Sequence, residues 1–195
     1  SDAIDRDGII KAAVHGAAQP GRAPAPPTSW GYAKPIFAAA YEELPPVDQN
    51  TDKAKDLVAQ VGAPSQSITV AVTAGRSEMA IIAAEMQSAG KKLGLDVQIK
   101  ALPADSYNAL YSDAKAREGI DVILSLWLAR TPDPLSYYQY FRSTDFYNYA
   151  GYDDPEVDRL LTKSVAESDP QKRADLVVPM QARIVEDVIW LPLYY

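Results

Sequence analysis

Ile9, Ile10 and Val14 fall at helical spacing within residues 5–15, and Asp2 or Asp5 stands where a side chain can cap the first turn. The chain is therefore expected to open on a short helix. Residues 52–61 repeat the pattern with Ala54, Leu57, Val58 and Val61 on one face. Gly62 follows at the position where a left-handed residue often ends a helix. The period then changes. Residues 68–72 read Ile-Thr-Val-Ala-Val, a β-rich run. Helical spacing returns in residues 77–94 through Met79, Ile82, Ala83, Met86 and Leu93, with Ser77 as the expected cap. Residues 95–102 alternate at period two. Strand, helix and strand in this order make a βαβ unit, which predicts parallel strands joined by a right-handed crossover.

A further helix is predicted over residues 104–117, with Tyr107, Leu110, Tyr111 and Ala114 inward and Gly119 as its stop. Residues 121–127 are almost continuously apolar, as a central strand covered on both faces would be. Three Asp-Pro steps follow: Asp133-Pro134, Asp154-Pro155 and Asp169-Pro170. Asp caps free N–H groups and Pro at the first helical position has none to waste, so each step is a helix start. The second leads into Val157, Leu160, Leu161 and Val165, the third into Ala174, Val177, Ile184 and Val188. Pro179 is expected to kink or shorten the last helix. Residues 189–195 read as a core strand, which leads to the expectation that the chain is cut from a larger protein.

Residues 19–46 break every period. Seven of the 15 prolines lie there (Pro20, Pro24, Pro26, Pro27, Pro35, Pro45 and Pro46), beside Trp30, Gly31 and Tyr32. Missing N–H groups argue against helix and central strand, so an extended Pro-rich surface segment is expected. No internal repeat is visible.

Composition narrows the chemistry. The 195 residues carry a net charge of −7, no cysteine and a single histidine. An acidic balance argues against a nucleic-acid partner, which needs a basic footprint. Without cysteine there is no thiol nucleophile, zinc–thiolate site or iron–sulfur cluster, and one histidine excludes a two-histidine metal site. Neither cofactor nor metal is expected, and no phosphate-cradling or nucleophile-elbow motif occurs. His15, beside Gly16 at a helix end, fits a helix-terminus role. Gly75-Arg76-Ser77 can either cap a helix or hold an anion.

The segment after the apolar run carries the candidate site. Trp127-Leu128-Ala129-Arg130 leaves the C-terminal end of the predicted strand, where open α/β sheets bind ligands. Tyr137, Tyr138, Tyr140, Tyr147, Tyr149 and Tyr152 follow within 16 residues, half of the 12 tyrosines. Tyrosine suits an adaptable binding surface, and it equally suits an aromatic core beneath a loop. Arg130 is open to two readings, a ligand contact or a surface arginine.

The order of several motifs resembles a known family. Residues 3–10 (Ala-Ile-Asp-Arg-Asp-Gly-Ile-Ile) come first, then Trp30-Gly31-Tyr32, residues 52–62, Lys92-Leu93-Gly94-Leu95-Asp96-Val97, Tyr107, Asp121-Val122-Ile123, and Trp127 through Asp133-Pro134. Residues 147–158 (Tyr-Asn-Tyr-Ala-Gly-Tyr-Asp-Asp-Pro-Glu-Val-Asp), Arg173 and Trp190-Leu191-Pro192-Leu193 complete the series. This resembles the C-terminal portion of family 5 extracytoplasmic solute-binding proteins, the peptide, oligopeptide and nickel type of ABC importers. The resemblance implies an α/β fold, a type II periplasmic-binding-protein-like lobe with a mixed, mostly parallel sheet flanked by helices. It implies one lobe over residues 1–195, and no catalysis. Its partners would be a peptide-like or other small-molecule ligand, ABC permease subunits and the N-terminal lobe of the same receptor. The place of work would be extracytoplasmic. Trp127, Leu128 and Ala129 would lie along the ligand, with Tyr107 as a wall and Tyr138 and Asn148 as further contacts. Peptide-binding members typically carry an acidic residue where this sequence has Arg130, which favours a carboxylate or phosphate over a free amine. Two other readings stay open: a small hydrolase using Asp133 and Asp153, and an interaction module with a flat aromatic patch.

Overall fold

Along the chain the elements are α1 (Arg6–Val14), α2 (Lys34–Glu42), α3 (Thr51–Val61), β1 (Ile68–Thr73), α4 (Ser77–Lys92), β2 (Val97–Leu102), α5 (Ala104–Ala109), β3 (Val122–Ile123), α6 (Leu135–Tyr138), α7 (Pro155–Ala166) and α8 (Pro170–Glu186). Short 3-10 turns lie at Pro27–Ser29, Lys115–Arg117 and Gln139–Phe141. The structure is a computed structural model and describes residues 1–62, 66–129 and 131–195. The chain divides into two units. The first comprises Ser1–Pro20, Val47–Leu126 and Tyr194; the second comprises Gly21–Pro46, Trp127–Leu193 and Tyr195.

The first unit is built on the predicted βαβ. β1 and β2 pair in parallel from Ile68–Val97 to Thr73–Leu102. Val70, Ala71 and Val72 are buried in the middle of the sheet, whose order is β2-β1-β3. The expected central strand over residues 121–127 is corrected here. Only Val122 and Ile123 join the ladder, as an edge against β1, and Leu126 is half exposed. α4 packs on β1 and β2 and buries Met79, Ile82 and Ala83, and α1 packs on α4. Ser77 is the first residue of α4 rather than its cap. Asp5 caps α1 by accepting the Gly8 N–H at 2.8 Å, and Asn50 caps α3 by accepting the Lys53 N–H at 2.9 Å. The helix expected over residues 104–117 stops at Ala109. Leu110, Tyr111 and Ser112 tighten onto carbonyls three residues back, and the Arg117 guanidinium takes the Leu110 carbonyl at 2.7 Å.

The second unit is helical around an aromatic core. Trp30, Phe37, Tyr138, Phe141, Tyr152, Val157, Leu161, Val177, Met180 and Ile184 form one buried cluster. Asp154 and Asp169 cap α7 and α8 as their Asp-Pro steps predict, accepting N–H groups of Glu156 and Val157, and of Gln171 and Lys172. α8 runs on past Pro179 to Glu186, so the expected shortening does not occur. The reading of residues 19–46 as an extended surface segment is corrected as well. Pro35 stands in the first turn of α2, where its missing N–H costs nothing, and residues 36–44 contain no proline. Ala23, Ala25, Trp30 and Phe37 are buried rather than laid on a surface. Residues 189–195 form no strand with a neighbour beyond a single antiparallel bridge between Pro20 and Tyr194 within the first unit. In the second unit, the Tyr195 hydroxyl donates to the Ala23 carbonyl and accepts the Ala23 N–H at 2.9 Å.

Candidate functional site

In the first unit the ladder ends where Leu124 N–H meets the Ala71 carbonyl at 3.0 Å. Two tyrosines then replace the missing strand. The Tyr107 hydroxyl, from α5, donates to the Leu124 carbonyl. It also lies 3.0 Å from the Tyr111 hydroxyl, which is 2.6 Å from Ser125 Oγ. Burial, and then the Tyr111 hydroxyl beside it, push the Tyr107 phenol well above its ordinary range. Tyr107 is thus a neutral, buried brace that fixes the exit of β3, with its polar tip committed to main chain.

In the second unit, residues 127–129 alternate as an extended segment does. Trp127 turns inward: its ring lies 4.6 Å from Tyr140, 4.9 Å from Trp190 and 6.0 Å from Tyr147, centroid to centroid. Leu128 turns outward and is 88% exposed. Ala129 turns back onto the aromatic cluster, and its N–H donates to the Tyr137 hydroxyl at 3.2 Å. Arg130 lies outside the described residues.

The remaining expected contacts have structural duties. Tyr138 has no exposed surface, and its hydroxyl donates to Gln181 Oε1 at 2.6 Å across the core of the unit. Its phenol is raised well above the ordinary value, chiefly by burial. Asn148 spends its amide on a loop. Nδ2 donates to the carbonyls of Arg142 at 3.2 Å and Tyr152 at 2.7 Å, and Oδ1 accepts the Tyr152 N–H at 2.9 Å. The geometry therefore joins Trp127, Leu128 and Ala129 in one short run, and sets Tyr138 and Asn148 into supporting positions.

Sequence reasoning missed two contributors. Trp190 reads as core strand, yet it stacks on Tyr140 and Trp127 and forms the floor of their cluster. Phe146 is 66% exposed and packs edge-on to Tyr147 at 5.1 Å, beside the Trp127 ring that Tyr147 also touches. Its signal is an aromatic pair, Phe146-Tyr147, directly after the polar run Ser143-Thr144-Asp145. Asp133, which the hydrolase reading needs as a free carboxylate, is engaged on both oxygens: Oδ1 accepts the Leu135 N–H at 2.9 Å and Oδ2 lies 2.6 Å from Arg173 Nη2. Such a group serves as a cap and an ion-pair partner rather than as a base.

Residues 1–149 match the family model described as bacterial extracellular solute-binding proteins, family 5 Middle. The oligopeptide-binding protein OppA of Bacillus subtilis is 26% identical over 203 residues, which is 98% of this chain and 35% of that protein. Among solved structures, the ABC transporter substrate-binding protein CtaP of Listeria monocytogenes superposes on 100% of this chain and 38% of its own, with a TM-score of 0.85 and 26% identity. The periplasmic binding protein DppA of Helicobacter pylori, solved in complex with the peptide STSA, gives a TM-score of 0.83 at 25% identity over 100% of this chain and 36% of its own. The chain thus spans about a third of the length of the proteins it matches. Its fold is that of the type II periplasmic binding proteins, and the chain belongs to the family 5 bacterial extracellular solute-binding proteins.

Proposed function

We propose that this chain forms most of the C-terminal lobe of a two-lobed receptor that captures a peptide-like or other small polar solute. The receptor delivers that solute to the permease of an ABC importer and performs no chemistry on it. It works outside the cytoplasm, in a periplasm or anchored by lipid at the outer face of the cell membrane. The observation that carries the reading is the alternating run Trp127-Leu128-Ala129. The Trp127 side chain is packed by rings, the Ala129 main chain is held by the Tyr137 hydroxyl, and Leu128 faces out. A peptide laid along such a run gains main-chain hydrogen bonds in the manner of an added strand, and specificity from the side chains beside it. Arg130 is the proposed anion contact, because a guanidinium pairs a carboxylate or phosphate bidentately and repels an ammonium group.

The test is thermal denaturation of the receptor carrying this chain against a panel of acidic, neutral and N-acetylated tripeptides, opines and oligosaccharides. A ligand at about a hundred times its Kd adds roughly 2.7 kcal/mol of stability, so at least one class should raise the midpoint by a few degrees. Arg130→Asp should then abolish the rise given by acidic members. A panel without any rise overturns solute capture; a rise unchanged by Arg130→Asp removes the anion role alone.

A further inference from the structure

The run 127–129 carries few bonds of its own, yet it is tied to a chain of contacts that starts on another helix. Arg173, in the first turns of α8, holds Asp133 at 2.6 Å with both side chains about three-quarters buried (27% and 24% exposed). The guanidinium carbon also lies 5.1 Å from the centre of the Tyr32 ring, so the cation is gripped between a carboxylate and an aromatic face. Burial pushes the Tyr32 phenol up to about 12, with the Asp133 charge adding to the rise and Arg173 opposing it, so the ring stays neutral beneath the cation. Asp133 passes the constraint on. Its other oxygen caps Leu135 at 2.9 Å, its carbonyl accepts the Ser136 N–H at 2.9 Å, and Thr131 Oγ1 meets Ser136 Oγ at 2.7 Å. These bonds set the first turn of α6. That turn carries Tyr137, whose hydroxyl accepts the Ala129 N–H. On the far side, a Cβ at position 31 would overlap the Pro132 carbonyl oxygen, so the Trp30-Gly31-Tyr32 segment closes against the same loop with no room to slide.

We infer that Arg173 is a positioning residue for solute binding: through Asp133, the first turn of α6 and Tyr137, it fixes the main chain of Ala129 in the ligand-facing run. Arg173 itself need touch no ligand. Three segments distant in sequence (Tyr32, residues 129–137, and Arg173) are drawn into one path, which runs from a partly buried cation to the extended run at Ala129. A fork that bonds a carboxylate while stacking on a ring is a duty lysine cannot perform, because its ammonium group is a point charge. The consequence for binding rests on the solute-capture reading; the path itself does not.

The test separates the two. Amide hydrogen exchange of the receptor without ligand is followed over residues 127–137, in the parent, Arg173→Gln, Tyr137→Phe and the double variant. Asp133→Asn, which keeps an oxygen for the Leu135 cap and removes the charge, serves should Arg173→Gln fail to fold. Each single change should speed exchange at Ala129 by up to about tenfold, the upper end for one hydrogen bond between uncharged groups, while exchange in β1 stays as in the parent. The double variant should be no faster than the faster single one, because both lie on one path. Arg173→Lys should recover only part of the protection. Unchanged exchange at Ala129, or single effects that multiply in the double variant, overturns the inference. Affinity for trialanine is then measured on the same proteins. If the parent binds it, Arg173→Gln should weaken it at least as much as exchange is accelerated, and undiminished affinity also overturns the inference. A parent that binds neither trialanine nor any panel member overturns solute capture, and the exchange data still decide the path.

Discussion

The two units differ in what holds them. In the first, β1 and β2 pair residue by residue through main chain, and the helix between them packs on the sheet and buries Met79, Ile82 and Ala83. The second contains no ladder among the described residues and closes through side chains that meet across long stretches of sequence: Tyr138 with Gln181, Asp133 with Arg173, Ala23 with Tyr195. Main-chain pairing tolerates many side chains as long as the period is kept. Side-chain ties depend on particular atoms, and removing one partner strands the other in a dry core. The difference teaches where this protein is brittle: the unit that carries Trp127–Ala129 is the one that depends on individual contacts.

The sharpest way to break that comparison is a matched pair of glycines. Gly31→Ala in the second unit meets the main-chain carbonyl of Pro132, which has nowhere to go, and should cost roughly 3 kcal/mol or more in urea denaturation. Gly90→Ala in α4 meets Cγ2 of the buried Val97, a stiff side chain but not main chain, and the helix-propensity gain offsets part of the strain. Its expected cost is about 1–2 kcal/mol; equal losses would erase the contrast. Next in size is Gln181→Leu, which removes the acceptor of the buried Tyr138 hydroxyl and should cost about 1–3 kcal/mol. Adding Tyr138→Phe should restore most of that loss. If the double variant stays as weak, shape rather than the hydrogen bond sets the cost. The smallest effect has the opposite sign. Val188, a β-branched residue in the second unit, is held at φ 53°, where its side chain crowds the main chain. Val188→Gly should raise the melting midpoint by the equivalent of up to about 1 kcal/mol. His15→Gly, at φ 55° in the first unit, should change little, since histidine tolerates that region better.

The same contrast explains what could be read in the sequence. The βαβ unit, the Asp caps of α1, α7 and α8 and the helical faces rest on local periods and on side chains bonding their own neighbours, and all of these are visible in sequence. Residues 121–127 misled because a continuous apolar run looks alike whether both faces are covered by helices or whether only Leu124 is buried and Trp127 is packed by rings from Tyr140 and Trp190. Residues 19–46 misled because their prolines are not evenly spread: α2 fits between Pro27 and Pro45, with Pro35 alone inside it and in its first turn. At the candidate site, Trp127 and Ala129 were legible as one segment. What Tyr138 and Asn148 do was not: Gln181, 43 residues from Tyr138, is chosen by tertiary packing, and Asn148 bonds main-chain groups of its own irregular loop, which follows no period.

The reciprocal bonds between Tyr195 and Ala23 join residues 172 positions apart, and this bears on when each unit can form. The βαβ contacts lie within residues 68–102, a short stretch whose closure is entropically cheap. The second unit has to wait. Its first strip, residues 21–46 with Trp30 and Phe37, is made early and stays unburied until α7, α8 and the Tyr195 hydroxyl arrive. That strip is the apolar stretch whose packing partners come last along this chain.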